Sequence, residues 1–168
     1  DKAGYVSADF VSIDDGTGAG FRFEGTTAVA PDGTPFARKF RKGVYNTGFT
    51  TIHEFVVANP EAFPGLSHSV LRVMSAVSAN EGKLEAINTW DSDFLTFGAF
   101  QWTAGSADGR GELPAMLAHL KLKFPETFES CFGSFGLDVV ELQSGSIPRG
   151  RFSLRGKVLR SAAEKEEL

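Results

Sequence analysis

Glu81 is followed directly by Gly82, ten positions later by Asp91 with Asp93 two residues on, and then by Thr96 inside Phe94-Leu95-Thr96-Phe97-Gly98. A carboxylic acid, a second carboxylate and a hydroxyl that can hold water are the groups that cleavage of a glycosidic bond requires. The acid protonates the leaving oxygen, and the second group stabilises the cation or activates water. Glu81 closes a stretch of helical periodicity, where the negative end of the helix dipole favours the protonated acid, and partial burial would act in the same direction. Asp91 or Asp93 is the candidate for the opposite side of a cleft, and Thr96 the candidate for holding water. Asp-Ser-Asp is equally good turn material, so hairpin-tip chemistry stays open beside catalysis for both aspartates. Phe97, Phe100 and Trp102 can offer apolar faces to sugar rings, although aromatic residues are first of all core material.

These groups need elements to position them. Leu66, Val70, Val73, Met74 and Val77 recur at helical spacing on one face, Ser67 can cap the helix, and Gly82 is a natural stop, so a buried helix ending at Glu81 is expected. A shorter helix over 51–63, broken at Pro60, precedes it. Ile87 to Trp102 is aromatic and β-branched with a polar break at Asp91-Ser92-Asp93, which predicts a β-hairpin or small sheet. A second amphipathic helix follows over 112–124, with Leu113, Met116, Leu117 and Leu120 on one face. A Phe-rich short helix spans 125–135, closed by Gly136. Strands are expected over 139–142 and 152–159, joined by a Gly/Pro loop, and a helix start at Ser161. Residues 1–50 read as short strands and turns, among them 6–13, 21–23 and the turn 31–35. The run Gly16-Thr17-Gly18-Ala19-Gly20 lacks the Lys-Ser/Thr and the helix of a phosphate loop and reads as a plain turn.

The 168 residues suggest one domain's worth of core, and 42% apolar against 23% charged residues is a globular composition. No apolar run approaches the roughly 20 residues of a membrane span. A net charge of −4 argues against a general nucleic-acid binder. The single cysteine, Cys131, excludes an intrachain disulfide and reads as a buried structural thiol. His53, His68 and His119 lie too far apart for a metal-ligand spacing, and no metal or cofactor is expected. Arg149, Arg151, Arg155, Lys157 and Arg160 read as a solvated edge, with contact to an anionic glycan second, and Arg38, Lys39, Arg41 and Lys42 as a solvated strand face, with contact to an anionic polymer as the weaker reading. The start, Asp1-Lys2-Ala3-Gly4-Tyr5, is neither a signal peptide nor a methionine start, so a processed product or a piece of a longer polypeptide is expected.

Glu81-Gly82, Ile87, Asp91 and Phe94-Leu95-Thr96-Phe97-Gly98 together resemble the motif of the phage lysozymes, a Glu-Gly pair, a hairpin Asp and an aromatic-rich Thr-x-Gly. The following Gly98-Ala99-Phe100-Gln101-Trp102 is similar to the Gly-Leu-Met-Gln segment of lytic transglycosylases and goose-type lysozymes. The resemblance covers about residues 66–135. It has one extra residue between Glu81 and Asp91, one fewer between Asp91 and Thr96, and no counterpart for the first fifty residues or for a helical C-terminal lobe. It implies an α+β, lysozyme-like domain over 51–168 behind a β-rich segment over 1–50. It also implies Glu81 as general acid, Asp91 as partner carboxylate and Thr96 as the water-holding hydroxyl, with Asp93, Phe97, Gln101 and Trp102 on the substrate. The implied substrate is the glycan strand of peptidoglycan, and the implied setting is cell-wall lysis in the bacterial periplasm or wall, by a phage lysin or an antibacterial effector. The implied partners are the rest of a larger polypeptide or an immunity protein. A lytic transglycosylase would need Glu81 alone. A chitosanase, whose cationic substrate suits a chain of charge −4, is the second enzymatic reading. A glycan-binding module without chemistry is the third.

Overall fold

A computed structural model describes residues 22–40, 43–166 and 168. The strand expected over 6–13 and the glycine run 16–20 lie outside the described residues. Strands β1 (Arg22–Glu24), β2 (Thr27–Val29), β3 (Pro35–Phe40) and β4 (Gly43–Asn46) come first. Helices α1 (Ile52–Ala58) and α2 (His68–Glu81) follow, then the short strands β5 (Ile87–Asn88), β6 (Thr96–Phe97) and β7 (Trp102–Thr103). The C-terminal half holds α3 (Glu112–Lys123), α4 (Pro125–Cys131), β8 (Leu137–Gln143), β9 (Arg149–Leu154), β10 (Lys157–Val158) and α5 (Ala162–Lys165). The fold is α+β, as the sequence predicts.

Seven strands form one antiparallel sheet in the order β1 to β7, with the two helices inserted between β4 and β5. The sheet therefore runs on across residue 50, because Tyr45 and Asn46 of β4 pair with Asn88 and Ile87 of β5. A second sheet has the order β10-β9-β8. Helix α3 packs on it with the apolar face read from the sequence. Leu113 and Leu117 join Phe128, Phe152, Leu159 and Ala104 in the buried core, and Met116 and Leu120 lie against it.

Local signals place the helix ends. The Ser67 hydroxyl accepts from the Val70 amide at 3.3 Å, and α2 stops at Gly82. Thr51 and Glu54 form a reciprocal capping box on α1. Pro125 opens α4, and a 3-10 turn over Gly133–Phe135 closes on Gly136 in the left-handed region.

Several burial expectations are overturned. Helix α2 is not buried: Leu66, Val70, Val73 and Val77 are exposed, Val73 by 64%, and Ser78 is its buried residue. Periodicity shows which side chains share a face, and the main partner of α2 among the described residues is the seven-residue α1, which covers a different side. Cys131, at the last position of α4, is exposed rather than buried. Phe97, Phe100 and Trp102 are more than a third exposed, because β6 and β7 are two residues long and β7 is the sheet edge.

The basic run over 149–160 is a solvated edge, as the sequence predicts, with Arg149, Arg155, Lys157 and Arg160 exposed and Arg151 largely covered, and it is also ion-paired. Glu141, at a positive φ where β8 bulges, is gripped by Arg160 and Arg151, the latter with Nε 3.0 Å away, and by Arg110 at 3.6 Å. Arg149 pairs with Glu112 at 2.7 Å. No helix of the described residues is long and apolar enough to cross a membrane.

Candidate active site

The C-terminal end of α2, whose last residue is Glu81, abuts the turn between β6 and β7. The Gly82 amide donates to the Ser78 carbonyl at 3.1 Å, and the chain leaves in an extended conformation. A β-carbon at position 82 would stand 3.0 Å from Gln101 Nε2, 3.2 Å from the Ala86 β-carbon and 3.6 Å from the Gly98 carbonyl oxygen. The helix end and that turn are thus in close contact, and a side chain at 82 would require Gln101 and Ala86 to give by a few tenths of an ångström. Gln101 Nε2 donates to the Gly98 carbonyl at 2.8 Å, and the Gly98 amide donates to the Ala86 carbonyl at 2.8 Å. Gln101, carried over from the sequence as a substrate-side residue, therefore lies against the residue following Glu81.

Asp91 and Asp93 occupy the β5–β6 connection. Asp91 Oδ2 accepts from Asn88 Nδ2 at 2.7 Å, and its Oδ1 accepts from the Asp93 amide at 2.9 Å. Asn88 Oδ1 in turn accepts from the Trp90 amide at 3.1 Å. This is Asx-turn chemistry, and it fixes the carboxylate's direction while leaving each oxygen lone-pair capacity for water. The carboxylate that the sequence offers as a candidate is here a turn-former.

Cross-strand pairing decides which of the candidates share a face. Paired residues of antiparallel strands point to the same side, and successive residues alternate. Thr96 pairs with Asn88 on one side and Thr103 on the other, so Thr96 and the residue that holds Asp91 share one face. Phe97 pairs with Ile87 and Trp102, and this row points to the opposite face. The structure thus brings Thr96, Asn88 and Asp91 together, and sets Phe97 and Trp102 apart from them. Thr96 itself is buried.

A second clamp acts on the residues just past Glu81. The Lys83 and Leu84 amides donate to the carbonyls of Thr47 and Thr50, at 3.4 and 3.0 Å. Glu85 Oε2 accepts from the amides of Phe49 and Thr50, at 2.9 and 3.0 Å, and Oε1 accepts from the Thr50 hydroxyl. Burial pushes the Glu85 carboxyl up, but the Thr50 hydroxyl and the Thr50 and Phe49 amides outweigh it and bring it down to about 2. Sequence reasoning passed over Glu85, Asn88 and the segment 47–50. Their partners lie 35 or 36 residues away for Glu85, and no local pattern marks them.

Among the described residues no group of three or more His, Cys, Asp or Glu is placed to hold a metal ion. The chain matches no family model, no curated protein and no solved structure.

Proposed function

We propose that the chain is a lysozyme-like hydrolase of peptidoglycan glycan strands, with Glu81 as general acid, Asp91 as partner carboxylate and Thr96 holding the water. The observation that carries this reading is the junction of the α2 end with the small sheet. The residue after Glu81 packs on Gly98 and Gln101, two strand positions from Thr96, while Asp91 is tied to the Asn88 that pairs with Thr96. The phage lysozymes set an acid at a helix end against a hairpin carboxylate and a hydroxyl, and the order Glu-Gly, Asp, Thr-x-Gly in this chain is similar to theirs, with one residue more before Asp91 and one fewer before Thr96.

In this mechanism Glu81 gives its proton to the glycosidic oxygen as the bond to the anomeric carbon breaks. Water held between Thr96 and Asp91 adds to that carbon and passes a proton to Asp91, inverting its configuration. A closer approach of Asp91 would allow a covalent glycosyl intermediate, and a transglycosylase would use Glu81 without the second carboxylate. In this reading Asp93, on the Asp91 loop, and Gln101, at the turn against Gly82, are the groups that contact the substrate. The setting is cell-wall lysis in the bacterial periplasm or wall, by a phage lysin or an antibacterial effector that works within a larger polypeptide, with an immunity protein as a further partner. The net charge of −4 favours a second reading, a chitosanase acting on a cationic polymer.

Mass spectrometry of products from purified peptidoglycan, chitin and chitosan tests both. Reducing-end muropeptides from the wild type, cut about 10²- to 10⁴-fold in Glu81→Gln, are the expected result. Anhydro ends would make it a transglycosylase, and products from chitosan alone would move the assignment to the second reading. Glycan binding without products from any polymer would leave a binding module.

A further inference from the structure

We infer that the groove at the β2–β4 end of the seven-stranded sheet is a second glycan subsite, holding a carboxylate-bearing unit of the same strand that reaches Glu81. The inference deepens the glycan reading above and rests on it.

The groove has a volume of about 460 Å³, and Thr27, Phe36, Arg38, Tyr45, Thr47 and Phe49 are among the residues that line it. Tyr45 is 44% exposed and Phe49 69% exposed, so both rings are open to a ligand in the groove. Arg38 is exposed and faces no carboxylate among the described residues. Exposed rings beside a free guanidinium fork suit one class of ligand well. The rings stack on the apolar faces of sugars, and the fork takes a carboxylate through two parallel hydrogen bonds. Peptidoglycan carries such carboxylates on its lactyl groups and stem peptides. Arg38 would also supply the local cation that a chain of net charge −4 needs to hold an anionic polymer.

The register of the sheet connects this groove to the candidate active site. Thr27 pairs with Arg38, Arg38 with Tyr45, Tyr45 with Asn88, and Asn88 with Thr96. These residues form one row on one face, crossing from the groove to the Thr96 hydroxyl and the Asn88–Asp91 pair. Three strand spacings separate Arg38 from Thr96, roughly 14 Å, a span of a few sugar rings. The connection is also covalent and hydrogen-bonded. Thr47 and Phe49 line the groove, and the same segment holds Lys83, Leu84 and Glu85, directly after Glu81 and Gly82. A polymer lying along the row would meet the groove first and the acid a few units later.

The test compares Arg38→Ala, Tyr45→Ala and the double variant with wild type on polymeric peptidoglycan and on a purified disaccharide glycoside too short to span both sites. On polymer, KM is expected to rise roughly tenfold in the double variant with kcat unchanged, and on the disaccharide neither constant should move. Unchanged KM on polymer, or equal losses on both substrates, would overturn the subsite and leave the hydrolase standing. Pelleting of Glu81→Gln protein with insoluble peptidoglycan separates the two ideas further. If the wild type makes no products, yet Glu81→Gln pellets and the added Arg38→Ala and Tyr45→Ala changes release it, the groove stands as a glycan site without the hydrolase. Failure of Glu81→Gln to pellet at all, with no products from the wild type, would remove both.

Discussion

Asp91 combines two duties that pull on the same atoms. Its oxygens accept from Asn88 Nδ2 and from the Asp93 amide, so its charge organises the β5–β6 loop, while the proposed chemistry asks one of them to activate water as well. Asp91→Asn keeps the size and loses the acceptor on one side. The new amide would confront a donor at Asn88 or at Asp93, at a cost of about 1–3 kcal/mol for the group left unpaired. Asp93 serves the loop through its backbone amide, which Asp93→Asn retains. The expected ranking is a loss of at least about 100-fold in initial rate for Asp91→Asn with a lower melting temperature. Asp93→Asn should stay within a few-fold of wild type and melt with it. Initial rates on peptidoglycan and thermal melts of both variants decide the matter. A reversed ranking of rates, with Asp91→Asn affecting only stability, would transfer the carboxylate's role to Asp93.

At the scale of elements, the clamp of Glu85 on the segment 47–50 carries a pH signature. Its carboxyl sits at about 2 in the folded chain against a usual 4.5, so the folded state binds the proton less readily than the unfolded one. Its stabilising contribution is whole above about pH 4.5 and is lost as the pH falls toward about 2. Glu85→Gln should melt below wild type at neutral pH, and the two melting curves should converge as the pH drops through that window. Parallel curves would show that the carboxylate does nothing for the fold. How legible these elements were follows from the range of the forces that make them. Ser67, Gly82, Pro125 and Gly136 act on backbone groups within a turn of themselves, so the bounds of α2 and the start of α4 stood in the sequence, while the single helix expected over 125–135 divides into α4, ending at Cys131, and a 3-10 turn that closes on Gly136. Lys165 acts at long range. It is buried, and its ammonium donates to the carbonyls of Gly105, Ser106 and Gly109 at 2.7, 3.0 and 2.9 Å, some sixty positions back, pinning the loop after β7 to the last helix. Burial, with Arg151 beside it, holds that ammonium's pKa below its ordinary value. No pattern near Ser161 announces this, and the truncated helix start read there is a latch.

Over the whole molecule, the sequence carried the order of the elements and the α+β class but not which strands share a sheet. The first fifty residues and the small sheet of the site read as separate pieces because pairing of β4 with β5 skips two helices and is fixed by tertiary register. The site inherits this: Thr96 and Phe97 are neighbours in sequence and stand on opposite faces, which only the register shows. One bridge outside the strands ties the residue before α3 to the three-stranded sheet: the Gly111 amide donates to the Gly150 carbonyl of β9 at 3.0 Å and the Gly150 amide returns the bond at 2.9 Å. Gly111 is buried, and a β-carbon there would stand 2.2 Å from the Thr103 carbonyl oxygen and 2.3 Å from the Ala104 carbonyl carbon. These are backbone atoms at and just past the end of β7 and cannot turn aside, so Gly111→Ala must push the end of β7 away from the Gly111–Gly150 bridge. The cost expected is about 3 kcal/mol or more, which for a chain of this size lowers the melting temperature by roughly 6–12 °C. Because β7 also carries the edge of the proposed site, rates on peptidoglycan should fall in the same variant even well below its melting point. Gly145→Ala, where a β-carbon would meet nothing closer than 3.8 Å, should melt with wild type. Thermal melts of the two variants side by side check this, and a Gly111→Ala protein as stable as Gly145→Ala would mean that the fold does not depend on this bridge for its stability.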